Sequence, residues 1–301
     1  MAGKSCSYLP ADKKKKGSKK MAIFTNQATL IYNGQSTSSN VTTGELLDAL
    51  TMTKTAVGGS YTGGGRVTYV INIQNAGAAI TGATLTDDLG AYEVGGNTVR
   101  PLSYVEGSVL LYRNGALADP PEVGTGPDLN LEGIDIPAGG NVLIIYEAEV
   151  NEFAPLELGS TITNTAELNA GCVELSDSET VEVRGDVRLT IAKAISPATV
   201  NDNGTLTYTF IIQNSGNTAV VATDDVIVTD TFAPILNPIN VTYNGEDWTE
   251  GEQYVYNEAT GEFRTLPGNI TVPAATYTRD TETGAVAVTP GVAVITVTGT
   301  V

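Results

Sequence analysis

An internal repeat constrains the fold of this chain more than any other feature. Four segments of the first half recur, in the same order, in the second half. The matched pairs are TMTK (51–54) with TIAK (190–193), RVTYVINIQNAG (66–77) with TLTYTFIIQNSG (205–216), TLTDDLG (84–90) with IVTDTFA (227–233), and GNVLIIYEAEV (140–150) with GVAVITVTGTV (291–301). Self-similarity of this kind predicts two domains of the same fold, arranged end to end along the chain.

The repeated segments have the residue pattern of β-strands. Apolar and polar residues alternate, and Gly, Asn, Asp and Pro turns separate short runs that are rich in Val, Ile, Thr and Tyr. No convincing helical period extends over more than a few turns. The pattern predicts an all-β fold with two tandem β-sandwich domains, over residues 48–185 and 186–301.

The closing hairpin of the repeat lies in two different places. In the first domain, residues 151–184 continue past the last matched segment as two predicted antiparallel strands, which include ITNTAEL (162–168). The second domain has no such continuation before Val301, but a near match, FTNQATL (24–30), precedes the first domain. We therefore expect a basic tail (1–20), a donor hairpin (21–47) and a second domain that lacks its own closing hairpin.

A sandwich without its last hairpin exposes a strand edge and an apolar groove. The hairpin either folds back onto the second domain of its own chain or fills that of another copy. About seven linker residues reach roughly 23–25 Å when extended, and fold-back would have to span the first domain. Donation to a neighbour is therefore favoured over fold-back or a closed dimer, and its head-to-tail contacts generate open filaments. The predicted apolar anchors of the hairpin are Phe24, Ala28, Leu30 and Val41.

The lysines form a second pattern. Beyond residue 20 the chain contains only two, Lys54 and Lys193, at equivalent positions of the two repeats. Strand alternation points each of them towards the apolar side. The same argument turns one Asp of each repeat inwards, Asp87 and Asp230. It also turns an Asn inwards on each closing strand, Asn164 in the first domain and Asn26 in the N-terminal hairpin.

Three buried polar groups are costly unless they satisfy one another. One interpretation is a buried Lys–Asp ion pair that is hydrogen-bonded to the Asn. The other is covalent, because burial lowers the pKa of a lysine and raises that of an aspartic acid. A neutral lysine amine then attacks the Asn amide carbon, with Asp87 or Asp230 assisting as the acid. Ammonia leaves, and an isopeptide bond between the Lys and Asn side chains remains.

The motifs VTYVINIQNAG, TLTDDLG and ITNTAEL together resemble a bacterial surface-repeat family, the domain of unknown function eleven. The resemblance covers roughly residues 48–184 and 187–301. It implies immunoglobulin-like sandwiches on a cell-surface or appendage protein, with a Lys54–Asn164 bond within the first domain. Between subunits it implies a bond from Lys193 to Asn26. The chain also resembles signal-less clostridial proteins, including spore-appendage fibre subunits.

Charge and cysteines add weaker constraints. Residues 1–20 hold seven Lys and one Asp, whereas the whole chain has a net charge of −18. No apolar core follows this basic segment, so we expect no secretory signal peptide. The acidic body argues against nucleic acid as a partner, and no apolar run is long enough for a membrane span.

The two cysteines, Cys6 and Cys172, either form an intermolecular disulfide or stay free thiols.

Other functions are less well supported. The chain has no His, which excludes Ser-His-Asp and Cys-His catalysis and typical zinc sites. We expect no turnover enzyme, no cofactor and no metal.

The predicted function is a self-assembling filament subunit whose partners are copies of itself, on a spore or cell surface. The alternative is a surface adhesin that binds ligands through its loops, for which the sequence offers Trp248 and scattered Tyr.

Overall fold

A computed structural model describes the backbone of residues 22–46, 49–171 and 173–301, and the side chains of residues 26–43, 49–171 and 173–301. The predicted all-β sandwich class is confirmed, since the described chain contains 28 strands and one short 3₁₀ helix, Ala222–Asp224. No helix among these residues is both long and apolar enough to cross a membrane.

The strands fall into three consecutive groups. The N-terminal group contains β1 (Ala22–Asn26), β2 (Thr29–Tyr32), β3 (Gln35–Ser38) and β4 (Thr42–Leu46). The next contains β5 (Leu50–Val57), β6 (Ser60–Tyr61), β7 (Arg66–Asn75), β8 (Ile80–Asp87), β9 (Tyr92–Val94), β10 (Asn97–Val99), β11 (Leu102–Tyr104), β12 (Leu110–Arg113), β13 (Ala116–Ala118), β14 (Glu122–Val123), β15 (Leu129–Ile136), β16 (Gly140–Val150), β17 (Thr161–Asn169) and β18 (Glu174–Val183). The last contains β19 (Leu189–Ser196), β20 (Thr205–Asn214), β21 (Thr229–Thr231), β22 (Ile239–Tyr243), β23 (Glu246–Trp248), β24 (Tyr254–Asn257), β25 (Glu262–Thr265), β26 (Thr276–Arg279), β27 (Val286–Thr289) and β28 (Gly291–Thr300).

The second group forms a complete sandwich, here called sandwich 1. One sheet has the order β13-β12-β16-β7-β5, with β11 also paired to β16, and the facing sheet has the order β14-β15-β8-β17-β18-β6. The inward residues of the long central strands are fully buried, as alternation predicts: Ile71 and Ile73 on β7 and Ile144 on β16 have no exposed surface. The closing strands β17 and β18 pair along their whole length.

The third group, sandwich 2, repeats the first sheet but only part of the second. Its first sheet runs β19-β20-β28-β22-β23, the counterpart of β5-β7-β16-β12-β13. The facing layer is a three-stranded sheet, β21-β25-β24. In this layer β25 pairs with β21, as β15 pairs with β8 in sandwich 1. Among the described residues no strand pairs with β21 on the side that β17 occupies on β8.

The N-terminal group is a hairpin, and among the described residues its strands pair only with one another. Strands β1 and β4 pair, as do β2 and β3, around a turn at Asn33 and Gly34 whose positive φ angles of 49° and 76° suit an Asn-Gly turn. The register shifts by one residue between the Asn26↔Thr42 pair and the Thr29↔Ser38 pair, so the hairpin contains a bulge. All of its described side chains are exposed.

A hairpin of sandwich 2 docks against sandwich 1. This hairpin consists of β26 and β27. Arg279 ends β26, and its guanidinium lies 4.9 Å from the ring centroid of Tyr92. Arg279 donates hydrogen bonds to the hydroxyl of Tyr92 and, at 3.3 Å, to the carbonyl of Phe153. The N–H of Val286 donates to the carbonyl of Glu152 at 2.8 Å. These contacts tie the two sandwiches together through groups that sequence analysis did not single out.

Candidate functional site

A buried polar cluster lies between the two sheets of sandwich 1. Lys54 Nζ lies 2.5 Å from Asp87 Oδ2, and neither side chain is exposed. The hydroxyl of Tyr146 donates to the same Asp87 oxygen at 2.6 Å. Asn164 Nδ2 donates to the Tyr146 hydroxyl at 3.0 Å. A continuous chain of hydrogen bonds therefore connects the lysine, the acid, the tyrosine and the amide.

Four strands position these side chains. Lys54 and Tyr146 project from β5 and β16 in one sheet, and Asp87 and Asn164 project from β8 and β17 in the other. The Lys54 backbone N–H is held by Asp177 Oδ2 at 2.8 Å, so that β18 covers β5. The predicted inward orientation of Lys54, Asp87 and Asn164 agrees with their exposures of 2%, 0% and 0%.

Burial shifts the proton affinities of the cluster in opposite directions. Desolvation lowers the pKa of Lys54, although the nearby Asp87 acts against the shift. Desolvation raises the pKa of Asp87, although Lys54 acts against it. Both shifts make proton transfer from the Lys54 ammonium to the Asp87 carboxylate less unfavourable than it is between the same groups in water. Burial and the nearby Asp87 also raise the pKa of the Tyr146 phenol well above its ordinary value.

The amide of Asn164 is held at both ends. Its Nδ2 faces Tyr146, and its Oδ1 accepts a hydrogen bond from the Gly90 N–H at 3.2 Å. That N–H also donates to Asp88 Oδ1 at 2.8 Å. A buried lysine, an acid that can take its proton and an oriented amide in one pocket are the components that acyl transfer from an amide to an amine requires.

The equivalent site of sandwich 2 is open. Lys193 forms an ion pair with Asp230, but the two side chains are 39% and 20% exposed. The Lys193 ammonium lies 4.2 Å from the ring centroid of Tyr208. It also lies 5.5 and 5.6 Å from the rings of Phe210 and Phe232. No Asn contacts this pair among the described residues, so the site has two of its three predicted members.

The surface around Lys193 is apolar and uncovered. Every residue of β19 is exposed, whereas its counterpart β5 alternates between buried or half-buried and exposed residues. Ile191 and Ile195 are 56% and 47% exposed, while their counterparts Met52 and Ala56 pack against the core of sandwich 1. Sandwich 1 buries this face under β18, and nothing in the described part of the chain covers it in sandwich 2.

The predicted donor residues are equally exposed. Asn26 and Ala28 lie on the surface of the hairpin, and Leu30 and Val41 are 65% and 54% exposed. Phe24 lies in β1, but its side chain is outside the described residues. Within the described residues, therefore, neither the hairpin nor the exposed face of sandwich 2 around Lys193 has a partner.

One pair of buried structural asparagines was not singled out in the sequence. Asn75 and Asn214 are the second residues of the repeated QNAG and QNSG motifs and are buried. Each accepts a hydrogen bond from the N–H two residues later, at Gly77 and Gly216, and donates to one carbonyl of its own loop and one of a neighbouring loop. The recurrence of this Asn at equivalent positions of the two repeats was the sequence signal for its structural role. The shared hydrogen bonds explain why the motif recurs.

Several predictions of the sequence analysis concern residues that the structure does not describe. The basic tail, Cys6 and Cys172 are outside them. Within them, no group of three or more His, Cys, Asp or Glu side chains is arranged to hold a metal ion. Trp248 stacks on Tyr243, with ring centroids 5.0 Å apart.

Comparisons with known proteins give only distant likenesses. No family model matches the chain, and no curated protein matches it. The major pilin subunit BcpA of Bacillus cereus is 16% identical over 89% of this chain and 73% of its own, with a TM-score of 0.35. The pilus backbone protein RrgB of Streptococcus pneumoniae is 13% identical over 80% and 55%, with a TM-score of 0.33. The structure named BspA_C_WT is 14% identical over 83% and 91%, with a TM-score of 0.36. TM-scores of this size do not assign the chain to any of these groups.

Proposed function

We propose that this chain is the structural subunit of a filament in which the hairpin of residues 21–47 completes sandwich 2 of the next copy. Two exposed surfaces of the chain that match each other support this proposal. Strand β19 and the Lys193–Asp230 pair are uncovered. The hairpin has the residues that cover their counterparts in sandwich 1, including an Asn at the matching position.

Sandwich 1 supplies the geometry of the docked state. There β17 pairs with β8 so that Ala166 lies opposite Asp87 and Leu168 opposite Leu85. Transferred through the repeat, Ala28 lies opposite Asp230. In the same register Asn26 reaches the position of Asn164, beside the ion pair. Strands β3 and β4 then cover β19, as β18 covers β5.

Burial of apolar surface drives this association. Leu30, Val41 and Ile191 are more than half exposed in the isolated chain. Each large apolar side chain that docking buries contributes on the order of 1.5–3 kcal/mol. The lost freedom of two bodies and of the hairpin reduces that sum considerably. Backbone hydrogen bonds along the open edge of β21 fix the register.

A covalent bond then locks the docked hairpin. When the hairpin covers Lys193, water leaves the site and the amine meets the Asn26 amide beside Asp230. The same reaction within sandwich 1 joins Lys54 to Asn164 without a partner, because all its members are already buried together. A bond between subunits therefore forms only after docking, which couples covalent locking to correct assembly.

Head-to-tail docking gives an open polymer because donor and acceptor are different surfaces of the chain. Such a polymer suits an extracellular or spore-surface appendage, in keeping with the resemblance of the motifs to surface-repeat proteins. Its partners are further copies of the same chain, and the mechanism uses no cofactor.

Electron microscopy of purified chains tests this proposal. Full-length protein and a variant lacking residues 1–20 are expected to form filaments, because both retain the hairpin. A variant lacking residues 1–47 is expected to stay monomeric and to stop growth when added to full-length protein. Filaments assembled from the variant without residues 1–47 would refute the proposal.

A further inference from the structure

We infer that the Tyr146 hydroxyl is the group that protonates the Asn164 amide nitrogen, so that it leaves as ammonia when Lys54 and Asn164 join, and that Asp87 then returns a proton to the hydroxyl. The inference rests on the covalent bond proposed above and adds a catalytic residue to it. Tyr146 is not part of the Lys–Asp–Asn pattern that the repeat displays.

The position of the hydroxyl carries the inference. It lies between the acid and the atom that must leave, because it donates to Asp87 Oδ2 at 2.6 Å and accepts from Asn164 Nδ2 at 3.0 Å. The phenol is fully buried, and its ring stacks on Tyr69 at 5.5 Å between centroids. Once Asp87 is protonated and Nδ2 gains a lone pair in the tetrahedral intermediate, the Tyr146 O–H needs only to turn from Asp87 to Nδ2 for a proton to pass from Asp87 to the amide nitrogen, and no heavy atom has to move.

The proton transfers balance along this route. Lys54 first gives one proton to Asp87, which leaves an amine and a carboxylic acid. The amine nitrogen bonds to Asn164 Cγ, and the carbonyl electrons move to Oδ1, next to the Gly90 N–H. Tyr146 gives its proton to Nδ2 and takes one from Asp87. The Cγ–Nδ2 bond breaks, Oδ1 regains its double bond, and ammonia departs. The Asp87 carboxylate removes the extra proton from the new amide nitrogen.

The surroundings suit each role. Burial keeps the Tyr146 phenol protonated because it raises the pKa of that group. Burial also raises the pKa of Asp87 and lowers that of Lys54, which favours the first proton transfer. The Gly90 N–H lies 3.2 Å from the oxygen on which negative charge develops, which stabilises the intermediate.

Sandwich 2 has no tyrosine at the position equivalent to Tyr146. Val297 pairs with Tyr208 on the neighbouring strand, as Tyr146 pairs with Tyr69, so Val297 stands where the hydroxyl would be. Phe210 and Phe232 enlarge the apolar surroundings there. The bond between Lys193 and Asn26 therefore lacks the tyrosine relay, and we expect it to form more slowly than the bond inside sandwich 1.

Mass spectrometry of digested full-length protein tests the inference, with the linked Lys54–Asn164 peptide followed over time after folding. Tyr146→Phe should slow its formation about 100-fold or more, the usual contribution of a positioned acid. Tyr61→Phe is the matched control, because Tyr61 is also buried and donates a 2.6 Å hydrogen bond, to the carbonyl of Pro155. This control should link at the wild-type rate.

A second variant keeps the test decisive if Tyr146→Phe folds poorly. With 3,5-difluorotyrosine at position 146, the ring shape is retained and the hydroxyl is more acidic, so linking should proceed at least as fast as in the wild type. An unchanged rate in folded Tyr146→Phe, or a difluorotyrosine rate as low as that of a non-linking variant, would overturn the inference. So would a Lys193–Asn26 bond that forms as fast as the inner one. Absence of the linked peptide from the wild type would instead refute the proposed bond itself.

Discussion

Lys54 Nζ lies 2.5 Å from Asp87 Oδ2 with both side chains fully buried, whereas the equivalent Lys193 is 39% exposed. One repeat therefore shows the site closed and the other shows it open. The difference follows from the cover that β17 and β18 provide. The two sites together form an internal comparison that few single chains offer.

Removing the acid should affect the two sites very differently. Asp87→Ala blocks linking and also leaves Lys54 buried without its acidic partner, and the loss of that partner alone costs about 3–5 kcal/mol. Asp230→Ala is the control, because its half-exposed pair contributes about 1 kcal/mol or less. Hydrogen exchange measures the two losses, in β16 and β17 for Asp87→Ala and in β20 and β28 for Asp230→Ala. An equal loss of protection in the two sandwiches would contradict the buried-pair account.

Alkaline pH should destabilise sandwich 1. Burial raises the pKa values of Tyr61, Tyr69 and Tyr146 above their ordinary value of 10.0. The folded state then keeps protons that the unfolded state has released, so the contribution of these tyrosines to the free energy of unfolding is constant below about pH 10 and falls as the pH rises above it. Each such tyrosine contributes a slope of up to about 1.4 kcal/mol per pH unit. Urea unfolding at several pH values should show a shallower slope for Tyr61→Phe, and an identical slope would count against this explanation.

Paired cysteines test the register of the docked hairpin. In sandwich 1, Glu167 lies opposite Thr86, and the repeat transfers this pair to Thr29 of one copy and Thr229 of the next. With Cys6 and Cys172 changed to Ser, Thr29→Cys combined with Thr229→Cys should form a disulfide between subunits. Thr29→Cys combined with Val228→Cys should not, because a one-residue slip turns the side chain to the other face. A disulfide in the second pair only would show a different register.

One arginine makes several of the contacts between the β26–β27 hairpin and sandwich 1. Arg279 lies over Tyr92 and donates to the Phe153 carbonyl at 3.3 Å, so Arg279→Ala should loosen the β26–β27 hairpin from sandwich 1. Exchange of the Val286 amide hydrogen, which bonds to Glu152, should then become at least several-fold faster. Arg264→Ala, at an exposed position of β25, serves as the control and should leave this exchange unchanged. Unaltered exchange in Arg279→Ala would contradict this prediction and show that the backbone contacts alone hold the hairpin on sandwich 1.

The sequence alone predicted the strand class and the three polar members of the closed site, because alternation and repetition are local signals. It did not reveal Tyr146. That residue sits in an inward aliphatic series whose counterpart in the repeat is Val297, so a comparison of repeats passes over it. Arg279 was missed for a related reason, since it lies in a hairpin of sandwich 2 outside the matched segments. Contacts between distant parts of a chain depend on packing that no local pattern encodes.

A boiled, reducing denaturing gel of the full-length protein tests the central claim most directly. We expect a ladder of bands, since a bond between Asn26 and Lys193 of the next copy survives heat and reductant. Lys193→Arg should collapse the ladder to monomer, and Lys54→Arg should leave the ladder intact while it removes the bond within sandwich 1. A monomer band alone from the wild type, or a ladder that persists in Lys193→Arg, would contradict the claim that this lysine joins neighbouring subunits.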